Sequence, residues 1–234
     1  MRCDVLELRQ YSLHPGRRDE LIELFDREFV ESQEAHGMDV IGQFRDVERP
    51  DRFVWLRGYD DMATRGDALA GFYTGPAWAA HGAAANSTMV DFDDVLLLRP
   101  TASGAFAEIP KRAPVGAVGD GPGLVTATIH PLEPGTSSDA DACFTEWAAS
   151  AQERVDARVV ASFVTDPREN DFPMLPVREG DTVLVWFTTQ PSGVTADLDR
   201  VARQVGDALG RLQAGEPDTL RLVPTARSRL NGVA

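Results

Sequence analysis

Lysine is nearly missing from this 234-residue chain: Lys111 stands alone, and every other basic residue is an arginine scattered among 37 acids. No window concentrates positive charge. The net charge of −14 at pH 7 sets up a field that repels phosphate surfaces, so nucleic acid and anionic membranes are not expected as partners. Cysteine is equally scarce. Cys3 and Cys143 are far apart and lack a companion motif, so neither a disulfide framework nor a zinc site is expected. No apolar run approaches the ~18–20 residues of a membrane span, and the opening "MRCDVLELRQ" has no apolar h-region, so the expectation is a soluble cytoplasmic protein. Phosphate-binding and nucleophile signatures are missing too. "GDGPG" (119–123) has neither the strand-turn-helix context nor the Lys-Ser/Thr of a P-loop, no G-x-S-x-G elbow occurs, and neither cysteine sits in basic surroundings. The four histidines, His14, His36, His81 and His130, never fall three or four residues apart, and "DFDD" and "DADAC" lack the spacing of a calcium loop; no metal site is expected.

What is present is a repeat. At 43% hydrophobic and 8% aromatic the chain has material for a sizeable core. Residues 6–44 align with 125–163 without a gap: Leu13, Pro15 and Gly16 fall on Leu132, Pro134 and Gly135, Phe25 on Phe144, Gln33 and Glu34 on Gln152 and Glu153, and Phe44 on Phe163. The patterns agree as well. Each copy opens with a strand-like run ("DVLELRQYSL", "LVTATIHPL") and a Pro-Gly turn, where Pro fixes φ and Gly permits a positive one. A helical spacing follows, Leu21, Leu24, Phe25, Glu28 and Phe29 in one and Phe144, Trp147, Ala148 and Ala151 in the other. A second strand ("MDVIGQF", "ARVVASF"), a third with Trp55 against Trp186, another helical region and a last strand ending in Pro-Thr complete each copy. Both halves therefore read β-α-β-β-α-β, the ferredoxin-like arrangement, giving an α+β protein. The expected domains are 1–100 and 124–234, joined by a Gly/Pro/Ala-rich linker over 101–123. Each sheet exposes a face opposite its helices, and packing the two sheets together within the chain buries both. The stretch "TDPRENDFPMLPVREGD" before Trp186 is much longer than its counterpart and reads as a surface excursion.

The first half resembles a NIPSNAP domain, a branch of the dimeric α/β-barrel superfamily, over roughly residues 5–100. The carriers are Tyr11, Leu13, Pro15 and Gly16 in "YSLHPG", Gly37 and Gly42 in "HGMDVIGQF", and Trp55 and Tyr59 in "VWLRGYDD". Arg65, then Tyr73, Pro76 and Trp78 in "FYTGPAWAAH", and Pro100 continue the set. The second half keeps Pro134-Gly135 and Trp186 but replaces "YTGPAW" with the amphipathic "ADLDRVARQVGDALGRLQ". The resemblance implies a degenerate second copy that completes within one chain the barrel that family members usually make by dimerising; a monomeric barrel or a homodimer would follow. The family has no settled activity. Superfamily relatives include cofactor-free monooxygenases of aromatic polyketides, haem-degrading enzymes, chlorite-dismutase-like proteins and small-molecule cyclases, an analogy at the level of fold.

Strand alternation selects the candidate site. In the first strand Glu7, Arg9 and Tyr11 share a face opposite the more continuously apolar Leu6, Leu8 and Gln10. With the apolar set assigned to the helices, Glu7, Arg9 and Tyr11 point into the space between the sheets, joined there by Thr126, Thr128 and His130 of the repeat and by Trp55, Arg57, Tyr59 and Trp186. On one reading Glu7 pairs with Arg9 or Arg57 to satisfy the barrel centre and the tryptophans are packing. On the other, the space is an aromatic-walled cavity for a small hydrophobic or aromatic ligand: His130 or Tyr11 moves a proton, Arg9 or Arg57 holds a developing anion, and Trp55, Tyr59 and Trp186 bind. His36 in "EAHG" reads as a helix C-terminal cap before Gly37 or as a residue at the mouth of such a pocket. Three functions stay open: a small-molecule enzyme or binder without cofactor, a non-catalytic scaffold using Phe172, Met174 and Leu175 of "FPMLP" as its contact, and a haem protein hung from one histidine.

Overall fold

A computed structural model describes residues 3–106, 109–151, 158–191 and 197–232. Gln152 and Glu153, two letters of the repeat, lie outside the described residues. The element order is the repeated one. The first copy runs β1 (Val5–Leu13), α1 (Arg18–Leu24), a π-helical turn (Phe25–Phe29), α2 (Val30–Glu34), β2 (Asp39–Asp46), β3 (Arg52–Tyr59), α3 (Met62–Tyr73), α4 (Pro76–Asn86) and β4 (Met89–Pro100). The second runs β5 (Leu124–Pro131), α5 (Ser137–Ala151), β6 (Arg158–Thr165), β7 (Val183–Gln190), α6 (Leu198–Leu209), a 3-10 turn (Gly210–Leu212) and β8 (Asp218–Pro224). The Pro-Gly turns after β1 and β5 both place Gly at positive φ, +76° at Gly16 and +81° at Gly135, which a residue with a Cβ resists. In α3 the Asp61 carboxylate accepts from Thr64 N at 2.7 Å while Thr64 Oγ1 accepts from Asp61 N at 3.0 Å, a reciprocal cap that fixes where the helix begins.

All strand pairings are antiparallel, and the eight strands close into one barrel in the order β1-β3-β2-β8-β5-β7-β6-β4. Each half supplies four consecutive staves. The halves join where Phe44 of β2 lies opposite Pro224 of β8 and where Leu98 of β4 lies opposite Thr165 of β6. Closure removes every sheet edge that the two halves would expose separately.

The facing expected from the sequence is inverted. The interior is filled by Leu6, Leu8, Val54, Leu56, Val125, Ala127, Ile129, Val185 and Phe187, with their neighbours on the other strands. Glu7, Arg9, Tyr11, Trp55, Arg57 and Tyr59 instead lie on the outer face of the sheet, beneath the helices, as Thr126, Thr128, His130 and Trp186 do in the second half. The physical reason is that the barrel interior is enclosed by strands whose backbones bond to one another, so it offers no partner to a charge. The helices bring polar side chains to the outer face. The linker also does more than join: Phe106 is buried in the interior cluster, its ring 5.6 Å from Phe163 and 5.4 Å from Phe187. Leu230, beyond β8, enters the same cluster.

Candidate functional site

Pairing of β1 with β3 sets Glu7 opposite Arg57, Arg9 opposite Trp55 and Tyr11 opposite Phe53, which assembles a charged group on the helix-facing side. Glu7 Oε2 accepts from Arg57 Nε at 2.6 Å and Arg9 Nη1 at 2.8 Å, and Oε1 accepts from Arg65 Nε at 2.7 Å. All four side chains are fully buried. Burial opposes ionisation of Glu7, but Arg57, Arg9 and Arg65 together outweigh it and hold the carboxyl well below the usual carboxylate range. One carboxylate therefore faces three guanidiniums, leaving an excess of positive charge.

Around this group the ligating order is specific. Arg57 Nη1 donates to Gln33 Oε1 at 3.0 Å, and Gln33 Nε2 donates to the Phe29 carbonyl at 3.0 Å, inside the turn where the helix widens to π geometry. Such single-turn widenings are frequent at functional sites. Arg9 Nε donates to the Tyr11 hydroxyl at 2.9 Å. Burial raises the Tyr11 pKa, with Arg9 and Arg57 pulling against it, so the phenol stays protonated at neutral pH and its own proton is free to be donated. Arg9 Cζ lies 5.6 Å and Arg57 Cζ 5.0 Å from the Trp55 ring centroid, two cation–π contacts on one indole. The Nη2 atoms of Arg9, Arg57 and Arg65 and the Trp55 indole nitrogen are buried without hydrogen-bond partners.

Tyr11 and Trp55 form one wall of a crevice of about 30 Å³ between sheet and helices. Phe25, Phe29, Gln33, Phe72, Tyr73 and Trp78 are among its other lining residues. Its lining is mostly apolar, with Gln33 the one amide among aromatic and aliphatic side chains. At this volume it takes a water molecule or two, not an aromatic ring.

Of the residues selected from the sequence, Arg9, Tyr11, Trp55, Arg57 and Tyr59 come together here. His130 and Trp186 do not. They occupy the equivalent layer of the second half, where His130 Nδ1 is 3.1 Å from Gln213 Oε1 and the imidazole stacks on Trp186 at 6.4 Å. Burial pushes the His130 pKa down to about 4 against the Gln213 contact, so the ring is neutral. A single cavity shared by Tyr11 and His130 is thus ruled out by the inverted facing: the filled barrel lies between the two layers. His36 is exposed beyond α2, whose C-cap is Ala35; His36 N bonds to Gln33 O at 3.0 Å, Gly37 has φ +88°, and His36 does not line the crevice.

Two contributors were missed. Arg65 carried a pattern signal, since Arg65, Ala68, Leu69 and Phe72 share the buried stripe of α3 at i, i+3, i+4 and i+7. Asp171 carried none. It lies in the β6–β7 connection of the other half and is ion-paired with Arg65 Nη1, to which Asn170 Oδ1 also bonds at 3.1 Å. The expectation that Phe172, Met174 and Leu175 form an exposed contact is corrected as well. Leu175 and Phe172 pack against the first-half core, and only Met174 is exposed. Among the described residues, no group of three or more His, Cys, Asp or Glu side chains could hold a metal ion, and no helix is long and apolar enough to cross a membrane.

Comparison with known proteins agrees with this architecture. A candidate monooxygenase of Fusobacterium nucleatum superposes with a TM-score of 0.59 at 11% identity, covering 99% of this chain and 96% of that one. One of Lactobacillus acidophilus gives 0.57 at 10% identity with 97% of both chains covered. An anthrone oxidase-like protein gives 0.56 at 13%, covering 97% and 95%. At such identities the likeness is one of fold: a whole chain built as a tandem barrel. No curated protein sequence matches. The NIPSNAP family model matches residues 6–104, the segment that supplies β1 to β4, the arginine cluster and all the lining of the aromatic crevice.

Proposed function

We propose that the protein binds a small aromatic molecule bearing a compact anion in the sheet–helix layer of its first half, and acts on it without a cofactor. The observation that carries this reading is the set of unpartnered Nη2 atoms on Arg9, Arg57 and Arg65 behind an aromatic crevice. Buried donors left unpaired are costly, and an anion among them recovers that cost. The full-length structural likeness to candidate monooxygenases and an anthrone oxidase-like protein supports chemistry on an aromatic substrate. The chemistry available is limited in an informative way. Tyr11 can donate a proton and the arginines can hold negative charge, but Glu7 is engaged by three guanidiniums and is a poor base. The substrate must then arrive ionised or ionise on its own.

A scaffold role is favoured by one observation, the barrel interior packed with apolar side chains. A haem fits less well: no histidine lines the crevice. The test is calorimetric titration with naphthoate. Uptake by the wild type that is lost in Trp55→Leu and kept in Trp186→Leu supports the reading. No uptake, or equal loss in both variants, overturns it.

A further inference from the structure

The longest addition of the second copy to the repeat is one connection: β6 and β7 are joined by residues 166–182, where β2 and β3 are joined by 47–51. This longer connection does not stay with its own half. Asp166 N bonds to Leu97 O at 2.9 Å and Arg178 N to Val95 O at 2.8 Å, so both its ends are tied to β4 of the first half. Between them Phe172 stacks on Tyr73 at 6.0 Å with 27° between the planes, and Leu175 is buried among the first-half helices. Tyr73 lines the aromatic crevice. The strap thus closes over the layer that holds the arginine cluster.

Its contact with that cluster is ionic. Asp171, 29% exposed, pairs with the fully buried Arg65 at Nη1, and Arg65 Nη2 is left without a partner. A guanidinium presents two parallel N–H groups to a carboxylate. Asp171 uses one of them. It reaches that position because Gly66 has no side chain: a Cβ there would sit 2.9 Å from Asp171 Oδ2.

We propose that the strap is a lid over the first-half site and that Asp171 occupies the place of the ligand's anionic group at Arg65. An incoming aromatic carboxylate, or an anion of like shape, displaces Asp171, engages both Nη atoms of Arg65 and lifts Phe172 from Tyr73, which opens the crevice for the ring. The inference rests on the small-molecule reading above and adds to it the group that the ligand's anion displaces and the means of access.

The test compares naphthoate with its neutral isostere naphthamide by calorimetry on the full chain. Asp171→Asn removes the competing charge at nearly constant shape and should bind naphthoate about tenfold tighter than the wild type, with naphthamide unchanged. Gly66→Ala, which crowds Asp171 away while favouring the helix, should act in the same direction to a smaller degree. If the wild type takes up naphthoate and Asp171→Asn does so with the same affinity, or if both probes gain equally, the proposal is overturned and the small-molecule reading stands. If no variant takes up either probe, the small-molecule reading falls and the lid with it.

Discussion

The two halves share one backbone plan and put opposite contents into the same layer. Beneath the helices of the first half, Glu7, Arg9 and Arg57 form a fully buried ionic group. At the register-equivalent positions the second half places Thr126, Thr128 and Thr188, whose hydroxyls are buried and unpartnered. Trp55 and Trp186 hold matching positions, and Tyr11 is matched by His130. The strand pairing is therefore preserved while the chemistry is not. A sheet covered by helices tolerates either a buried charge cluster or a neutral polar set, provided the backbone ladder and the apolar interior are kept. The charged version carries an excess of positive charge; the neutral version carries none.

This comparison can be broken most decisively at Glu7. Glu7→Gln leaves three buried guanidiniums without their carboxylate and should cost about 3–5 kcal/mol in denaturant unfolding. A loss below about 1 kcal/mol would mean that the cluster is hydrated and the contrast between the halves is false.

Next is acid. The folded pKa of His130, about 4, lies below the unfolded value near 6.5, so the unfolded chain takes the extra proton. Its contribution is whole above pH ~6.5 and is lost as pH falls towards 4. Asp26, raised by burial to about 6 against the pull of Arg227, works the other way and stabilises the fold over nearly the same range. Glu7 titrates only below it. The difference between wild type and His130→Gln isolates the second half: the variant should gain on the wild type by up to about 3 kcal/mol between pH 7 and pH 4, read from urea midpoints.

The strap ties the halves together, so Leu175→Ala, although in the second copy, should cost about 2 kcal/mol and loosen the first-half layer, seen as faster amide exchange in α3. Met174→Ala, two-thirds or more exposed, should stay within about 0.5 kcal/mol. Smallest is Thr126→Val. Deleting an unpartnered buried hydroxyl should be neutral or slightly stabilising in thermal unfolding.

The tandem repeat, the ferredoxin-like order of elements and the resemblance of the first half to a NIPSNAP domain were legible because they are written in local signals. These are the Pro-Gly turns, the helical spacing of Leu21 to Phe29, and aromatic landmarks in order. The candidate site was half legible. Period two placed Glu7, Arg9 and Tyr11 on one face and Trp55 and Arg57 on another, and those two faces do meet. It did not say which way they turn. That rule is silent when both faces of a sheet are buried, as in a closed barrel carrying helices outside. Apolar Leu6 and Leu8 were assigned to the helices because helices are the usual apolar partner; here the sheet of the other half is a more apolar one.

Read along the chain, the residues establish that one fold is written twice, which side chains share a strand face, and that Arg9, Arg57 and Trp55 fall on faces that meet. Folding in three dimensions puts them outside the barrel, shuts His130 into a separate layer and brings Asp171 to Arg65 from the other copy. Faces and turns follow from neighbours in sequence, whereas a contact between residues 65 and 171 exists only because β4 pairs with β6 when the barrel closes.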